Sequence, residues 1–239
     1  MKVNGQDLTY LLSVLDALSK YCLDAEIRDG KIRIRSNNRI GLYDIDLPEP
    51  WSISINIPML KVFIDLVKLF IPEDDKTLQF DIVQQNNGAK KLHLEDDLSQ
   101  MDIALGDIQN KFVTDDELQN IGFQNKTHIA SFTLNGKAIK RLKSLQKNFA
   151  VSIVSINSTK NKLQIESESK TRFAQFNIDS EIINSNDLPE LFKFSFLALD
   201  YPFDENEPLK INLYKLPNGV YTVGVNQHNT SIYSSAIKQ

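Results

Sequence analysis

A cluster of positive side chains lies on one helix-periodic stretch in the middle of the chain, Asn135–Phe149. Its apolar residues recur every three or four positions, which predicts one buried face of an amphipathic helix. The chain as a whole is acidic, with a formal net charge of −4, so the cations are a local feature. The apolar residues are Ile139, Leu142, Leu145 and Phe149, and the cations are Lys137, Lys140, Arg141, Lys143 and Lys147.

Two interpretations of this basic face are open from the stretch alone. It is either the solvated outer face of an ordinary amphipathic helix, or a surface that contacts a polyanion backbone. Lys and Arg without aromatic or amide neighbours can position phosphate groups but read little base sequence. The rest of the chain has to decide between them.

Catalytic and metal chemistry finds little support in the sequence. The histidines His93, His128 and His228 are scattered, and none belongs to a cluster with metal-ligand spacing. The single cysteine, Cys22, excludes an intramolecular disulfide and a cysteine-based zinc site. There is no glycine-rich phosphate loop. We therefore expect no enzyme activity, no metal and no cofactor.

Membrane association is also not expected. The longest apolar-rich run, 53–71, is interrupted by Asn56, Pro58, Lys61, Asp65 and Lys68. The first residues lack the apolar core of a secretion signal. A cytoplasmic location is therefore predicted.

Local patterns in the first half predict the elements that precede the basic stretch. Asn4 is a candidate N-cap for a helix over 4–23. Alternating residues around Asp29-Gly30 predict a β-hairpin, and Pro58 is expected in the first turn of a second helix. Strands are predicted at 77–83, 90–95 and 100–105, and the polar segment 107–127 is interpreted as a connector.

An internal repeat organises all these elements. Asn4-Gly5 recurs at Asn135-Gly136, and at the same ungapped offset Leu11 matches Leu142 and Leu18 matches Phe149. The same helix, strand run and hairpin follow in both halves, which predicts two copies of one unit. Each copy is expected to be α+β, with helices packed on antiparallel sheets. The predicted domains are 1–107 and 128–239, with a connector at 108–127.

The residues in this order resemble a known family. NGQDLTYLLSVLDALSKYCLDAEIRDGKIRIRS, RIGLYDIDLP and SISINIPMLKVFIDLVKLF are similar to the first domain of DNA polymerase sliding clamps of the proliferating cell nuclear antigen type. A short second helix at 195–202 and GVYTVGVNQHNTSIYSSAIKQ are most similar to the clamps of T-even-type bacteriophages. The resemblance implies a duplicated clamp domain and a closed homotrimeric ring with helices lining the hole.

The resemblance also implies partners. They are double-stranded DNA bound without sequence preference, a DNA polymerase and a clamp loader, with a further role in late transcription for the phage type. The cations Lys137, Lys140, Arg141 and Lys147 would face the hole, with Lys143 at its margin. The first domain adds only weaker candidates, Lys20, Lys61 and Lys68, so we expect the second domain to dominate DNA contact.

Two further surfaces are implied by the resemblance. A client peptide would contact Arg39, Ile40, Leu42, Phe112, Tyr233, Ala236 and Ile237, although core packing explains Ile40 and Leu42 about as well. A seam between subunits would join 100–105 of one subunit to 172–178 of the next. Its residues would be Gln100, Met101, Asp102, Ile103, Arg172, Phe173 and Phe176.

Two other functions stay open from the sequence. One is a monomeric, clamp-like processivity factor that forms no ring. The other is a phage structural or interaction protein built from a duplicated domain. The abundance of Asn, Ile and Lys fits an AT-rich genome, and we interpret the chain as a phage protein acting in the host cytoplasm.

Overall fold

The computed structural model describes residues 1–36, 41–73, 76–84, 90–106, 112–148, 151–167, 172–195, 203–204, 206–228 and 230–238. The chain divides into two compact units. The first comprises Met1–Asn38 and Ile45–Val113, and the second comprises Arg39–Asp44 and Thr114–Gln239. The predicted domain limits at 107/108 and 127/128 stay a prediction.

The first unit contains two helices and two groups of antiparallel strands. One sheet has the strand order β1-β6-β7-β8, and β2 pairs with both β3 and β5. The elements are β1 (Lys2–Asn4), α1 (Gly5–Ser19), β2 (Ala25–Arg28), β3 (Lys31–Arg35), β4 (Gly41–Asp46), β5 (Ile55–Ile57), α2 (Leu60–Val67), β6 (Thr77–Gln84), β7 (Lys90–Glu95) and β8 (Gln100–Ala104).

Helix α1 begins where the sequence predicts but ends earlier. The side chain of Asn4 accepts a hydrogen bond from the Asp7 amide at 2.8 Å, which confirms Asn4 as the N-cap. The helix ends at Ser19 rather than Leu23, because the amides of Tyr21 and Cys22 both donate to the Leu18 carbonyl. Its leucine stripe is buried and forms much of the core of this unit.

Helix α2 begins two residues after Pro58, so the prediction that this proline lies in the first turn is wrong. Met59, which precedes the helix, has a left-handed backbone with φ of 48°. Its amide donates to Asp24 Oδ1 at 3.1 Å, and the Leu60 amide donates to the Leu23 carbonyl at 2.8 Å. The first free amides of the helix are therefore satisfied by a loop distant in sequence.

The second unit is built on one long antiparallel sheet. Its strand order is β12-β11-β10-β14-β17-β16-β15-β9-β13. The elements are α3 (Asp115–Asn120), β9 (Thr127–Leu134), α4 (Gly136–Asn148), β10 (Val151–Asn157), β11 (Lys162–Ser167), β12 (Arg172–Asn177), β13 (Asp179–Ile182), β14 (Leu191–Ser195), β15 (Leu209–Lys215), β16 (Tyr221–Gln227) and β17 (Thr230–Lys238). The predicted short helix at 195–202 lies outside the described residues beyond Ser195, which ends β14.

The segment interpreted as a connector has structure of its own, which corrects that prediction. Thr114 caps α3, and the side chain of Glu117 bonds back to the Thr114 amide, completing a capping box. A short 3₁₀ helix, Phe123–Asn125, follows it. A Thr-x-x-Glu pattern was visible in the sequence, but the polar segment around it has no apolar periodicity.

The predicted duplication is confirmed element by element. We call the distance in sequence from Asn4 to Asn135 the repeat length. Helix α4 begins one repeat length after α1, and β11, β12 and β16 begin one repeat length after β3, β4 and β7. The order β9-β15-β16-β17 in the second unit repeats β1-β6-β7-β8 in the first. The chain therefore consists of two copies of one α+β unit.

Candidate functional site

The basic face of α4 is presented by the burial of its other side. The Asn135 side chain accepts from the Ala138 amide at 2.9 Å and fixes the start of the helix. Ile139 and Leu142 are each 2% exposed, so they anchor the helix on its own unit. Lys137, Lys140 and Arg141 are exposed on the opposite side. The side chains of Lys143 and Lys147 lie outside the described part of the chain.

The three described cations of α4 have no anionic partner within the protein. Among the described residues, no carboxylate lies within salt-bridge distance of Lys137, Lys140 or Arg141. Their charges are therefore not neutralised by neighbouring side chains. Exposed, uncompensated cations in a row are suited to phosphate groups of an external ligand.

The candidate cations of the first unit are arranged differently. Lys61 lies 3.4 Å from Asp16 on α1 and 3.7 Å from Asp65 on its own helix. Lys20 and Lys68 are exposed, at the ends of α1 and α2. The helices of this unit thus carry acidic and basic groups together, and their positive field is weaker than that of α4.

The residues predicted for a subunit seam lie on sheet edges. Among the described strands, β8 pairs only with β7, and β12 pairs only with β11. Strand β8 contains Gln100, Met101, Asp102 and Ile103, and β12 contains Arg172, Phe173 and Phe176. Each edge therefore presents backbone groups that another strand could pair with.

A row of alternating charges crosses the sheet that ends at β8. The Met1 ammonium lies 2.5 Å from Asp81 Oδ1, and His93 Nδ1 lies 2.7 Å from Asp102 Oδ1. Lys91 also contacts Asp102, at 2.5 Å. The hydrogen bond from Lys91, and then that from His93, lowers the pKa of Asp102, whereas the bond to Asp102 raises the pKa of His93.

The residues predicted for a client peptide are placed in different surroundings. Leu42 and Ala236 are buried in β4 and β17, whereas Ile237 is 69% exposed. Phe112 lies in the first unit, where its amide donates to the buried carboxylate of Glu26 at 3.3 Å. The remaining two, Arg39 and Ile40, lie outside the described residues.

Around Tyr233 the second unit forms an apolar surface that the sequence analysis missed. The rings of Phe123 and Tyr233 meet edge to face with centroids 4.6 Å apart. Gly122 lies against Pro217, whose Cδ would be 3.2 Å from a Cβ at that position. Ile121 beside them is 43% exposed. These residues come from distant parts of the sequence, so no local pattern groups them.

Searches of the described residues for other kinds of site gave two results. No helix there is long and apolar enough to cross a membrane. No group of three or more His, Cys, Asp or Glu side chains is arranged there to hold a metal ion. The His93–Asp102 pair is thus part of a charge row and not of a metal centre.

The sequence matches no protein-family model and no curated protein. Its fold, however, is similar to solved structures. PCNA from Thermococcus kodakaraensis is 15% identical, with a TM-score of 0.59 and 97% of each chain covered. The proliferating cellular nuclear antigen of Entamoeba histolytica is 14% identical, with a TM-score of 0.60 over 97% of this chain and 96% of that one.

A chain of the PCNA2–PCNA3 complex from Sulfolobus tokodaii is also 14% identical, with a TM-score of 0.61 and 98% of both chains covered. Identities this low relate the molecules by fold and not by function. The coverage means that both units, and not only one of them, follow the same architecture. The chain therefore has the duplicated α+β fold of the PCNA-type clamps over essentially its whole length.

Proposed function

We propose that this protein is a sliding clamp, a non-enzymatic processivity factor that encircles duplex DNA as a homotrimeric ring and tethers a DNA polymerase. One observation carries the proposal. Three exposed cations on α4, Lys137, Lys140 and Arg141, have no carboxylate partner among the described residues of a chain with a clamp fold. A fold of this kind with an uncompensated basic helix requires an anionic ligand.

The chemistry of the basic face favours sliding. Lys and Arg contact phosphate oxygens, which are the same at every base pair, and such contacts hold a protein on DNA without fixing its position. The other copy of this helix, α1, keeps the buried stripe but carries no such row of cations. Its counterpart in α4 therefore serves a ligand rather than the fold.

Ring formation is supported by the two open edges. An edge on β8 of one copy and an edge on β12 of the next can pair head to tail. A head-to-tail contact closes into a ring when the rotation between copies fits, and three copies of two units give six repeats. In this arrangement the positions of Met101, Asp102 and Ile103 on β8 lie opposite those of Phe173 and Phe176 on β12.

Partner binding is supported by the apolar surface of the second unit. Ile121, Phe123, Pro217 and Tyr233 form a step that a short apolar peptide of a polymerase or clamp loader can cover. Phe112, held by Glu26 in the first unit, serves in this scheme to anchor the connector. The finer assignment is a T-even-type phage clamp, acting in the host cytoplasm and also in late transcription.

The proposal is tested by removing the three charges together. The variant Lys137→Gln, Lys140→Gln, Arg141→Gln removes three phosphate contacts, and each is worth about 0.9 in the slope of log affinity against log salt. We expect the slope to become shallower by roughly 3 when duplex binding is followed by fluorescence anisotropy at increasing salt. The matched control, Lys20→Gln, Lys61→Gln, Lys68→Gln, is expected to change it much less.

Native mass spectrometry of the same samples separates assembly from DNA contact. The wild type and both variants are expected to show three times the chain mass. An unchanged salt slope in a trimeric α4 variant would contradict DNA contact through α4 and favour a structural or interaction protein. A strictly monomeric wild type that still binds DNA would favour a ringless processivity factor.

A further inference from the structure

A lysine is held over three aromatic rings on the outer face of the second unit. The Lys126 ammonium lies 4.3 Å from the ring centroid of Phe123, 5.3 Å from that of Tyr214 and 5.7 Å from that of Tyr233. We refer to these three rings as the aromatic cage. All three distances are within the range of cation–π attraction, so the cage has the chemistry of a cation site.

The cage is assembled by strands and not by one local segment. Phe123 comes from the 3₁₀ helix before β9, whereas Tyr214 and Tyr233 come from β15 and β17. Between those two strands lies Gly224 of β16, where a Cβ would come within 2.8 Å of Tyr233 and 3.0 Å of Tyr214. The absence of a side chain there allows both tyrosine rings to close over the sheet.

The bonds that hold Lys126 in the cage are weak. Its only hydrogen bond to a described residue is to the Phe123 carbonyl, at 3.4 Å. No described carboxylate lies within salt-bridge distance of the ammonium, and Asp44 acts on it only at longer range. Burial lowers the pKa of Lys126 more than Asp44 raises it, as expected for a cation whose charge is under-compensated.

The charge of the neighbouring segment is opposite to that of the cage's occupant. Three exposed acidic residues, Asp115, Asp116 and Glu117, form the first turn of α3. This helix packs on the 3₁₀ helix that carries Phe123, and Gln124 bonds to the Asp115 carbonyl at 3.3 Å. The surface therefore combines ring faces with a negative field, and both favour a cationic ligand.

We propose that the aromatic cage is a binding site for a Lys or Arg side chain of a partner peptide, and that Lys126 occupies it as an internal substitute. Lys126 has a long, flexible stem and is only partly buried, so it can leave the cage without unfolding its surroundings. The incoming cation takes its place over the same three rings. This site goes beyond the proposed clamp function, because it requires neither DNA nor a ring.

The experiment empties the cage and offers it small cations. The variant Lys126→Ala is titrated with tetramethylammonium, and separately with N-acetyl-argininamide, while the Tyr ring signals are followed by NMR. We expect saturable shifts of Tyr214 and Tyr233 in the variant, with at least a roughly 3-fold weaker response in the wild type, where Lys126 competes. The neutral citrulline analogue is expected to cause no such shifts.

Matched variants make the result specific. Lys160→Ala removes an exposed lysine on the β10–β11 turn and is expected to behave as the wild type. Adding Phe123→Leu to Lys126→Ala is expected to abolish the shifts, and Lys126→Gln serves the same purpose as Lys126→Ala if the latter does not fold. Absence of saturable shifts in a folded, emptied cage would overturn the proposal, as would equal shifts in the wild type.

The readout is independent of the proposed clamp function. A protein that fails to bind DNA but shows the cation-dependent shifts retains the cage site while losing the clamp assignment. A protein that forms a DNA-binding trimer but shows no shifts loses only the cage site.

Discussion

The same row of positions across the sheet has opposite chemistry in the two units. In the first unit Asp81, His93 and Asp102 lie opposite one another on β6, β7 and β8. The positions one repeat length later, Asn212, Gly224 and Tyr233, have the same register on β15, β16 and β17. One copy thus carries a row of charges, and the other carries a row that builds an aromatic surface.

The two copies of the first helix differ in the same way. Both α1 and α4 keep a buried apolar stripe and an asparagine N-cap, but only α4 carries an exposed row of cations. What the two units share is therefore what the fold needs: buried periodicity, caps and strand register. Outward-facing residues have diverged, so the differences there report on ligands and partners.

The largest expected effect tests the shared part. Leu11 and Leu142 occupy equivalent positions and are 0% and 2% exposed. Replacing either with alanine should cost about 2–5 kcal/mol, because each substitution leaves a cavity in a closed core. Lys140→Gln on the same helix should change the free energy of unfolding by less than about 0.5 kcal/mol. Chemical denaturation, with hydrogen exchange to locate the affected unit, measures both.

A clear asymmetry would break the comparison. If Leu142→Ala were tolerated while Leu11→Ala unfolded its unit, α4 would not be held by its apolar stripe. The orientation of its cations would then need another explanation.

Periodic burial explains why so much of the fold could be predicted. Ile139 and Leu142 recur on one face of α4, and that spacing alone fixes which lysines are exposed. The Asp29-Gly30 hairpin was equally predictable, because both residues adopt positive φ, which few sequences favour as strongly. The duplication added the order of elements, since each weak local pattern was found twice.

The features that sequence reasoning missed depend on contacts between distant residues. Met59 adopts its left-handed backbone beside Asp24, and the cage depends on Gly224 bringing Tyr214 to Tyr233. Neither has a local signal, because the partners meet only after the strands have paired. Lys126 looked like an ordinary solvated lysine in the sequence for the same reason.

A smaller effect is expected from exchanging one residue between the two rows. Tyr233→Asp gives the second unit the residue of the first, and it removes the edge-to-face contact with Phe123. If the client peptide covers this surface, affinity for the polymerase of the same genome should fall roughly 10- to 100-fold in calorimetry, as for other buried aromatic anchors.

The reciprocal change, Asp102→Tyr, is the matched control for that exchange. It alters the equivalent position of the first unit and should leave polymerase affinity unchanged when measured on the assembled ring. Equal losses from the two substitutions would show that the partner does not distinguish the two faces, and would remove the basis for placing it on the second unit.

The smallest effect concerns the response of the charge row to pH. His93 faces Asp81 and Asp102 on neighbouring strands and has Lys91 and Glu95 on its own strand. Its pKa is raised above the ordinary value of 6.5, chiefly by the hydrogen bond to Asp102. This contribution to stability is therefore complete below about pH 6.5 and is lost as pH rises through the raised pKa.

The two carboxylates of the row act at the other end of the pH scale. The pKa values of Asp81 and Asp102 are lowered below 3.8, so their contribution is present above that pH and is lost as pH falls through the lowered values. Protection of β7 and β8 amides from hydrogen exchange, corrected for intrinsic rates, should decline in both directions. His93→Asn should remove the alkaline decline alone, whereas amides flanking Gly224, where the row has no titratable side chain, should lack it already. An alkaline decline of equal size around Gly224 would show that the charge row is not its source.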